Sequence, residues 1–181
     1  MQKLLMLDLC CGLKGASAAM RERGWEVITV DNEQRHMPTY TTDIRDWTWL
    51  GRRPDLVWAS PPCTEFSRES MPWTRKGIVP DMSVVNACVK IARECDARFW
   101  LLENTRGAIK WFRPILGEPR YRMSPQFLWG MPPVGFQPAW VKLPKKRHAT
   151  PELRAMVPWH ISLALARAVE NDRADKRRRA K

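Results

Sequence analysis

The sequence predicts an α/β fold of Rossmann type, a mostly parallel twisted sheet with helices on both faces. Three observations carry that prediction. Short apolar runs alternate with helical periodicity over the first hundred residues, the first run enters its helix through glycines, and all four runs end on polar or reactive side chains. Strands alternating with helices pair in parallel through right-handed crossovers. In such sheets ligands bind beyond the carboxyl ends of the strands, so those ends are where chemistry is expected.

Lys3 to Leu9 is continuously apolar apart from its ends and Asp8, as a strand covered on both faces should be. The chain then turns through Gly12 and Gly15 into a helix ending near Gly24. Glu26 to Val30 reads as a second strand ending at Asp31, Asp55 to Ala59 as a third ending in Ser60-Pro61-Pro62-Cys63, and Phe99 to Leu102 as a fourth ending at Glu103-Asn104. Between the last two, Asp81 can cap a helix whose Val84, Val85, Cys88, Val89, Ala92 and Cys95 recur at helical spacing. After residue 113 the alternation stops. Residues 118 to 147 hold six prolines and read as an irregular, hairpin-compatible segment that is basic and rich in Trp. Pro158 suits the first turn of a helix running to about Glu170, and Asn171 to Lys181, with six basic and two acidic residues, reads as a frayed basic tail.

A length of 181 residues suits one domain, which would occupy residues 1–170, and should bury roughly two-thirds of the unfolded chain's surface. The longest uncharged run, Met123 to Val141, is broken by four prolines and cannot span a bilayer, and the start lacks a signal-peptide pattern. Lys plus Arg number 31 against 19 Asp plus Glu, a formal charge of +12, which points to a polyanionic partner. Five cysteines, with neither CxxC spacing nor a disulfide framework, suit a reducing cytoplasm, and no metal site is expected.

The strand ends supply the candidate chemistry. A Gly-rich strand-to-helix turn lets backbone approach a ligand, although such turns also occur for structural reasons alone. Asp31, after the second strand, can accept from ribose hydroxyls or simply be a solvated carboxylate. Two prolines stop the third strand and hold Cys63 at the rim, where a cysteine is a candidate nucleophile, the alternative being an inert rim thiol. Glu103 follows a neighbouring apolar strand. For it to donate a proton near neutrality its pKa must rise by more than about two units, at about 1.4 kcal/mol each, so burial is required. The alternative is a strand-end carboxylate paired with Arg106.

Asp8-Leu-x-Cys-Gly12-x-x-Gly15-x-Ser17, Pro61-Pro62-Cys63-x-x-Phe66-Ser67 and Glu103-Asn104 resemble three motifs of the cytosine-C5 DNA methyltransferases, in order and each at a strand end. Glu118-Pro-Arg120-Tyr-Arg122 is similar to the family's QxRxR motif, and Pro158-Trp-x-x-Ser162 to its last, pocket-closing helix. The resemblance implies a class I methyltransferase fold and S-adenosyl-L-methionine as cofactor. It implies that Cys63 attacks C6 of a flipped cytosine, that Glu103 holds N4 and protonates N3, that Arg122 contacts O2, and that Arg120 supports the loop. Asp8, Gly12, Gly15, Asp31, Asp43, Pro61 and Ser162 would form the cofactor site, with Asp31 on the ribose and Asp43 on the adenine amino group. DNA, duplex or single-stranded, is the implied partner, in the cytoplasm of a bacterium or a virus-infected cell.

Departures from the pattern shape the expectation. Cys10 stands at a usual aromatic position, Lys14 at a usual glycine and Glu118 at a usual Gln, and no large insertion precedes the closing helix. About 25 residues, Met123 to Arg147, remain to read a target, with Trp129, Trp140, Lys142, Lys145, Lys146 and Arg147 among them. Basic and aromatic groups there can hold phosphates or wedge a base step, but few base edges can be read, so specificity should be short or relaxed. A protein partner or a homodimer would be one way to compensate. A zinc deaminase is set aside because Cys63 is followed by Thr-Glu-Phe, not by a second cysteine. An RNA or free-nucleotide methyltransferase, and a non-catalytic binding module on the same fold, remain as alternatives.

Overall fold

The computed structural model describes residues 2–67, 79–123, 125–138, 150, 153 and 155–179. At its centre is β1 (Leu5–Leu9), every residue of which is buried. It lies parallel between β2 (Glu26–Asp31) and β4 (Leu56–Ala59), with Asp8 level with Thr29 on one side and Trp58 on the other. Strand β3 (Tyr40–Thr41) extends the sheet beyond β2, and β5 (Trp100–Asn104) extends it beyond β4, both in parallel. A hairpin completes it, with β7 (Gln126–Met131) antiparallel to β5 and to β6 (Tyr121–Met123). The order is β3-β2-β1-β4-β5-β7-β6, so the chain leaves β1 on one side and returns on the other. That reversal opens a crevice at the carboxyl ends of β1 and β4.

Side chains alternate across the sheet, and the two sets build two cores. Leu5, Leu7, Leu9, Val57, Ala59 and Leu102 face α3 (Ser83–Glu94) and α4 (Ile109–Leu116). Met6, Trp58, Leu101 and Leu128 face α1 (Ala18–Glu22) and the long C-terminal α5 (Trp159–Arg179), while the short α2 (Thr64–Ser67) tucks Phe66 into the first core. The doubly covered, mostly parallel sheet is the one expected. Asp81 does cap the entry to α3, accepting from the Ser83 N–H at 2.8 Å.

Three expectations are corrected. The segment 118–147 is not irregular throughout, because its prolines flank the β6–β7 hairpin without interrupting it. Trp129 is fully buried in β7, 4.9 Å from the Phe112 ring and donating to the Gly117 carbonyl at 3.2 Å, so it cannot wedge a base step. Trp140, Lys142, Lys145, Lys146 and Arg147 lie outside the described residues. The basic tail is not frayed from residue 171. Helix α5 continues to Arg179, held by an Arg98–Asp172 ion pair and by Arg173 donating to the Gln2 carbonyl at 2.8 Å. Among the described residues no helix is long and apolar enough to cross a membrane.

Ser162 joins α5 to α1. Its hydroxyl donates to the Ala16 carbonyl at 2.6 Å and accepts from the Ala19 N–H at 3.1 Å, fully buried. Ser162→Ala should therefore leave two buried backbone groups unpaired and lower stability by about 1–3 kcal/mol in urea denaturation. A loss of no more than about 0.3 kcal/mol would show the clamp to be dispensable.

Candidate active site

The turn after β1 carries left-handed backbone at Cys10 (φ 55°), Gly12 (φ 45°) and Lys14 (φ 60°). Glycine takes that conformation freely, while the other two residues pay steric strain, so Lys14 occupies a position whose backbone suits the glycine usual there. Its ammonium donates to the Met37 carbonyl at 2.5 Å, bridging to the segment after β2. Open space lies where a Cβ on Gly12 would point. At Gly15 a Cβ would come within 2.5 Å of the Val157 carbonyl and the Met156 side chain, so this glycine lets the approach to α5 close onto the turn.

Two carboxylates fix the turn. Asp31 accepts from the Gly12 N–H and the Glu33 N–H, each at 2.9 Å, tying the ends of β1 and β2 together. Asp8, 1% exposed, accepts from the Ser17 hydroxyl at 2.5 Å, and its other oxygen is buried without a partner. Burial pushes its pKa up to about 7, against the opposing pull of Ser17 and Arg21. Asp43 is engaged differently. The fork of Arg45 grips both its oxygens, at 2.9 and 2.5 Å, and holds its pKa down at about 2.

The rim of β4 and β5 holds the second cluster. Pro61 is buried and its carbonyl accepts from the Asn104 amide at 3.0 Å, which locks the loop carrying Cys63 onto the end of β5. The Cys63 carbonyl accepts from the Ser67 N–H and hydroxyl, both at 2.9 Å, so the loop closes as a rigid turn into α2. Cys63 itself is half-buried. Burial raises its thiol pKa, the charge of Glu103 raises it further, and the Ser67 hydroxyl opposes both. Glu103 keeps part of its residue surface exposed, yet its carboxyl group is enclosed, and burial pushes its pKa up to about 8 against a hydrogen bond from Ser60. A thiol and a carboxyl group whose ionisation burial disfavours thus stand within electrostatic reach at adjacent strand ends. The Arg106 pairing considered for Glu103 is not among its influences.

Arg122 and Glu103 fall on opposite faces of the sheet. Arg122 is level with Phe127 and Asn104 and faces the α4 side, whereas Glu103, level with Leu128 and Tyr121, faces the α5 side. The register therefore does not bring Arg122 to Glu103. Its guanidinium pairs with Glu118 at 2.7 Å, and Glu118 also holds Arg113 at 2.5 Å. Arg120 is exposed and its N–H continues the hairpin to the Leu128 carbonyl at 2.7 Å. On the α4 side Arg122 lines a cleft of about 720 Å³ with Phe66, Ser67, Thr105, Arg106 and Lys110, a cationic hollow beside the Cys63 loop. Ser60, Ser67 and the Asn104 lock were not assigned roles from sequence; the signal for Ser60 is its register with Glu103, which only the sheet supplies.

The strand order, with its antiparallel seventh strand, and the loaded carboxyl ends define a class I methyltransferase fold. The resemblance to cytosine-C5 DNA methyltransferases is borne out over part of the chain. Sixty-eight residues are 37% identical to a protein of Frog virus 3 (isolate Goorha) named "Probable DNA (cytosine-5)-methyltransferase", a match covering 35% of this chain and 30% of that protein. A crystal structure of a prophage-encoded E. coli protein described as a "putative DNA modification methyltransferase" superposes with a TM-score of 0.51 at 16% identity, over 71% of this chain and 46% of that one. The S. pombe Dnmt2 methyltransferase aligns more loosely, at TM-score 0.42 and 17% identity, over 60% of this chain and 38% of that one. No family model matches. The chain thus spans less than half of each of these proteins.

Both buried carboxyls bind protons more tightly folded than unfolded. Their contribution to stability is full below pH about 4 and is lost as pH rises through about 7 to 8. Thermal denaturation should therefore show the melting temperature falling from pH about 5 to about 9, and Asp8→Asn should flatten that slope. A melting temperature that rises over this range would contradict the assignment.

Proposed function

We propose that this chain transfers a methyl group from S-adenosyl-L-methionine to C5 of cytosine in DNA through a covalent adduct on Cys63. The observation that carries the reading is the placement of Cys63 and Glu103 at neighbouring strand ends, the Cys63 loop being tied to the end of β5 by the Asn104 amide on the Pro61 carbonyl at 3.0 Å. It is supported by the partial identity to the Frog virus 3 protein.

The residues of the first turn suit the cofactor. The unpartnered buried oxygen of Asp8 awaits a donor such as an amino group, Gly12 offers open space, and Asp31 retains free lone pairs beside its two backbone bonds. S-adenosyl-L-methionine supplies, when bound, an electrophilic methyl group. Asp43 could reach an adenine amino group only by sharing oxygens that Arg45 already holds. Ser162 supports the turn from α1 and α5, not by contact of its own.

The chain's own groups then divide the work. The Cys63 sulfur attacks C6 of the pyrimidine, and Glu103, still protonated near neutrality, delivers its proton to N3, so the ring becomes nucleophilic at C5. After methylation, loss of the C5 proton to a base expels the thiolate, and return of the N3 proton to the Glu103 carboxylate leaves the neutral aromatic ring. The raised thiol pKa means that Cys63 is not preactivated and ionises as the substrate is engaged. The cationic cleft and the +12 charge supply affinity for a polyanion that should fall steeply with salt. Residues 126–131 of the 123–147 segment are built into β7 and so are not free to read bases, and short or relaxed specificity is proposed. Single-stranded or mismatched DNA should be the easiest substrate, because unstacking costs least there.

The test is transfer of labelled methyl from S-adenosyl-L-methionine to duplex and single-stranded DNA, with RNA and free cytidine nucleotides in parallel. DNA should be labelled, Cys63→Ala should abolish transfer, and Glu103→Gln should slow it by about a hundred- to ten-thousandfold. The parent rate should decline above pH about 8 as Glu103 ionises. Full activity in Cys63→Ala would refute the mechanism, and labelling of RNA or nucleotide alone would refute the substrate.

A further inference from the structure

We propose that Ser60, held by Trp58, is a positioning residue that orients the carboxyl group of Glu103 and decides which of its oxygens carries the proton. The inference rests on the assignment of Glu103 as proton donor and deepens it.

Strands β4 and β5 run in parallel with Trp58 level with Leu101 and Ala59 level with Leu102, so the next rung sets Ser60 level with Glu103. Trp58 and Leu101 belong to the core on the α5 side, and the two-residue repeat of a strand puts Ser60 and Glu103 on that same side. The indole N–H of Trp58 donates to the Ser60 hydroxyl at 2.7 Å and so fixes that hydroxyl one rung across from the Glu103 carboxyl, whose ionised form it favours. An indole nitrogen can only donate, so at this contact the serine oxygen must accept, and its single proton remains for Glu103. Trp58 is 1% exposed and packed in the core, which leaves it little freedom to turn away. The relay therefore has one direction: indole to hydroxyl to carboxyl.

The consequence is positional. A neutral carboxylic acid has one carbonyl oxygen and one hydroxyl oxygen. The oxygen facing Ser60 receives a hydrogen bond and so is the carbonyl oxygen, and the proton sits on the other one, which is free to face the pyrimidine. When Glu103 ionises, the same donor stabilises its charge. Ser60 thus keeps the acid aligned and restrains how far burial can raise its pKa. The titratable neighbour on the facing loop is Cys63, whose thiol feels the Glu103 charge.

The test uses the full chain with its glutamates labelled at the side-chain carboxyl carbon, and follows Glu103, assigned through Glu103→Gln, by NMR titration. Ser60→Ala should move the Glu103 midpoint upward by about half a unit to one unit. The descending limb of the methyl-transfer profile should move with it, and kcat should fall while KM for DNA stays near the parent value. Ser60→Thr, which keeps the hydroxyl, should restore both midpoint and kcat. Trp58→Phe, which keeps most of the bulk and loses the N–H, should shift the midpoint in the same direction. A folded Ser60→Ala protein whose Glu103 titrates with the parent midpoint would overturn the relay, as would a Ser60→Thr protein that behaves like Ser60→Ala. The titration needs no turnover. A parent chain that transfers no methyl group but shows the shift would sink the proposed activity alone, and an active parent without the shift would sink the relay alone.

Discussion

Everything at the candidate site depends on a carboxyl group that is part-exposed as a residue but loses hydration at the rim of β4 and β5. Glu103 ends a strand flanked on both sides by others, and the loop locked by Asn104 to the Pro61 carbonyl closes over the same rim. Losing hydration penalises the ionised form, and the single neutral donor at Ser60 offsets only part of that penalty. The carboxyl is thereby biased toward its neutral form, and no cation among the described residues figures in that bias. Its neighbour Cys63 feels the same enclosure with the opposite consequence, since a thiol kept from ionising is a latent nucleophile.

The cofactor-side turn is governed by a related economy of polar groups. Asp31 satisfies two backbone N–H groups where two strands end, and Asp8 spends one oxygen on Ser17 and leaves the other buried and unpaired. Buried polar atoms without partners are uncommon in folded proteins, and one at the end of the central strand is naturally read as half of an interaction completed by a ligand. Gly15 and Ser162 bring α5 down onto this turn, so the far end of the chain stabilises a site formed by its beginning.

The inner strands were legible because burial on both faces writes itself as an apolar run: Lys3–Leu9, Glu26–Val30, Asp55–Ala59 and Phe99–Leu102 match β1, β2, β4 and β5 to within a residue or two. Edge elements were not. Strand β3 is two exposed residues, too short for any periodicity, and the prolines around β6 and β7 left the segment readable as hairpin-compatible without marking its strands, because they sit beside the ladder. Helix α5 outran its apolar stripe through ion pairs with distant residues such as Arg98, which no local pattern reveals. At the site, Cys63, Glu103, Asp8 and Asp31 could be picked out because strand ends advertise them. The side on which Arg122 points, and the alignment of Ser60 with Glu103, follow from register between strands and become visible only when the sheet is assembled.

The most direct measurement of the central claim is a trap: DNA carrying 5-fluorocytosine is incubated with the chain and S-adenosyl-L-methionine, and the product is digested and mapped by mass spectrometry. Fluorine at C5 cannot leave as a proton does, so an attacking sulfur stays bonded to the base. The account predicts a denaturation-resistant complex whose modified peptide carries the base on Cys63. Methylation of ordinary cytosine without any such adduct, or an adduct on another cysteine, would contradict it.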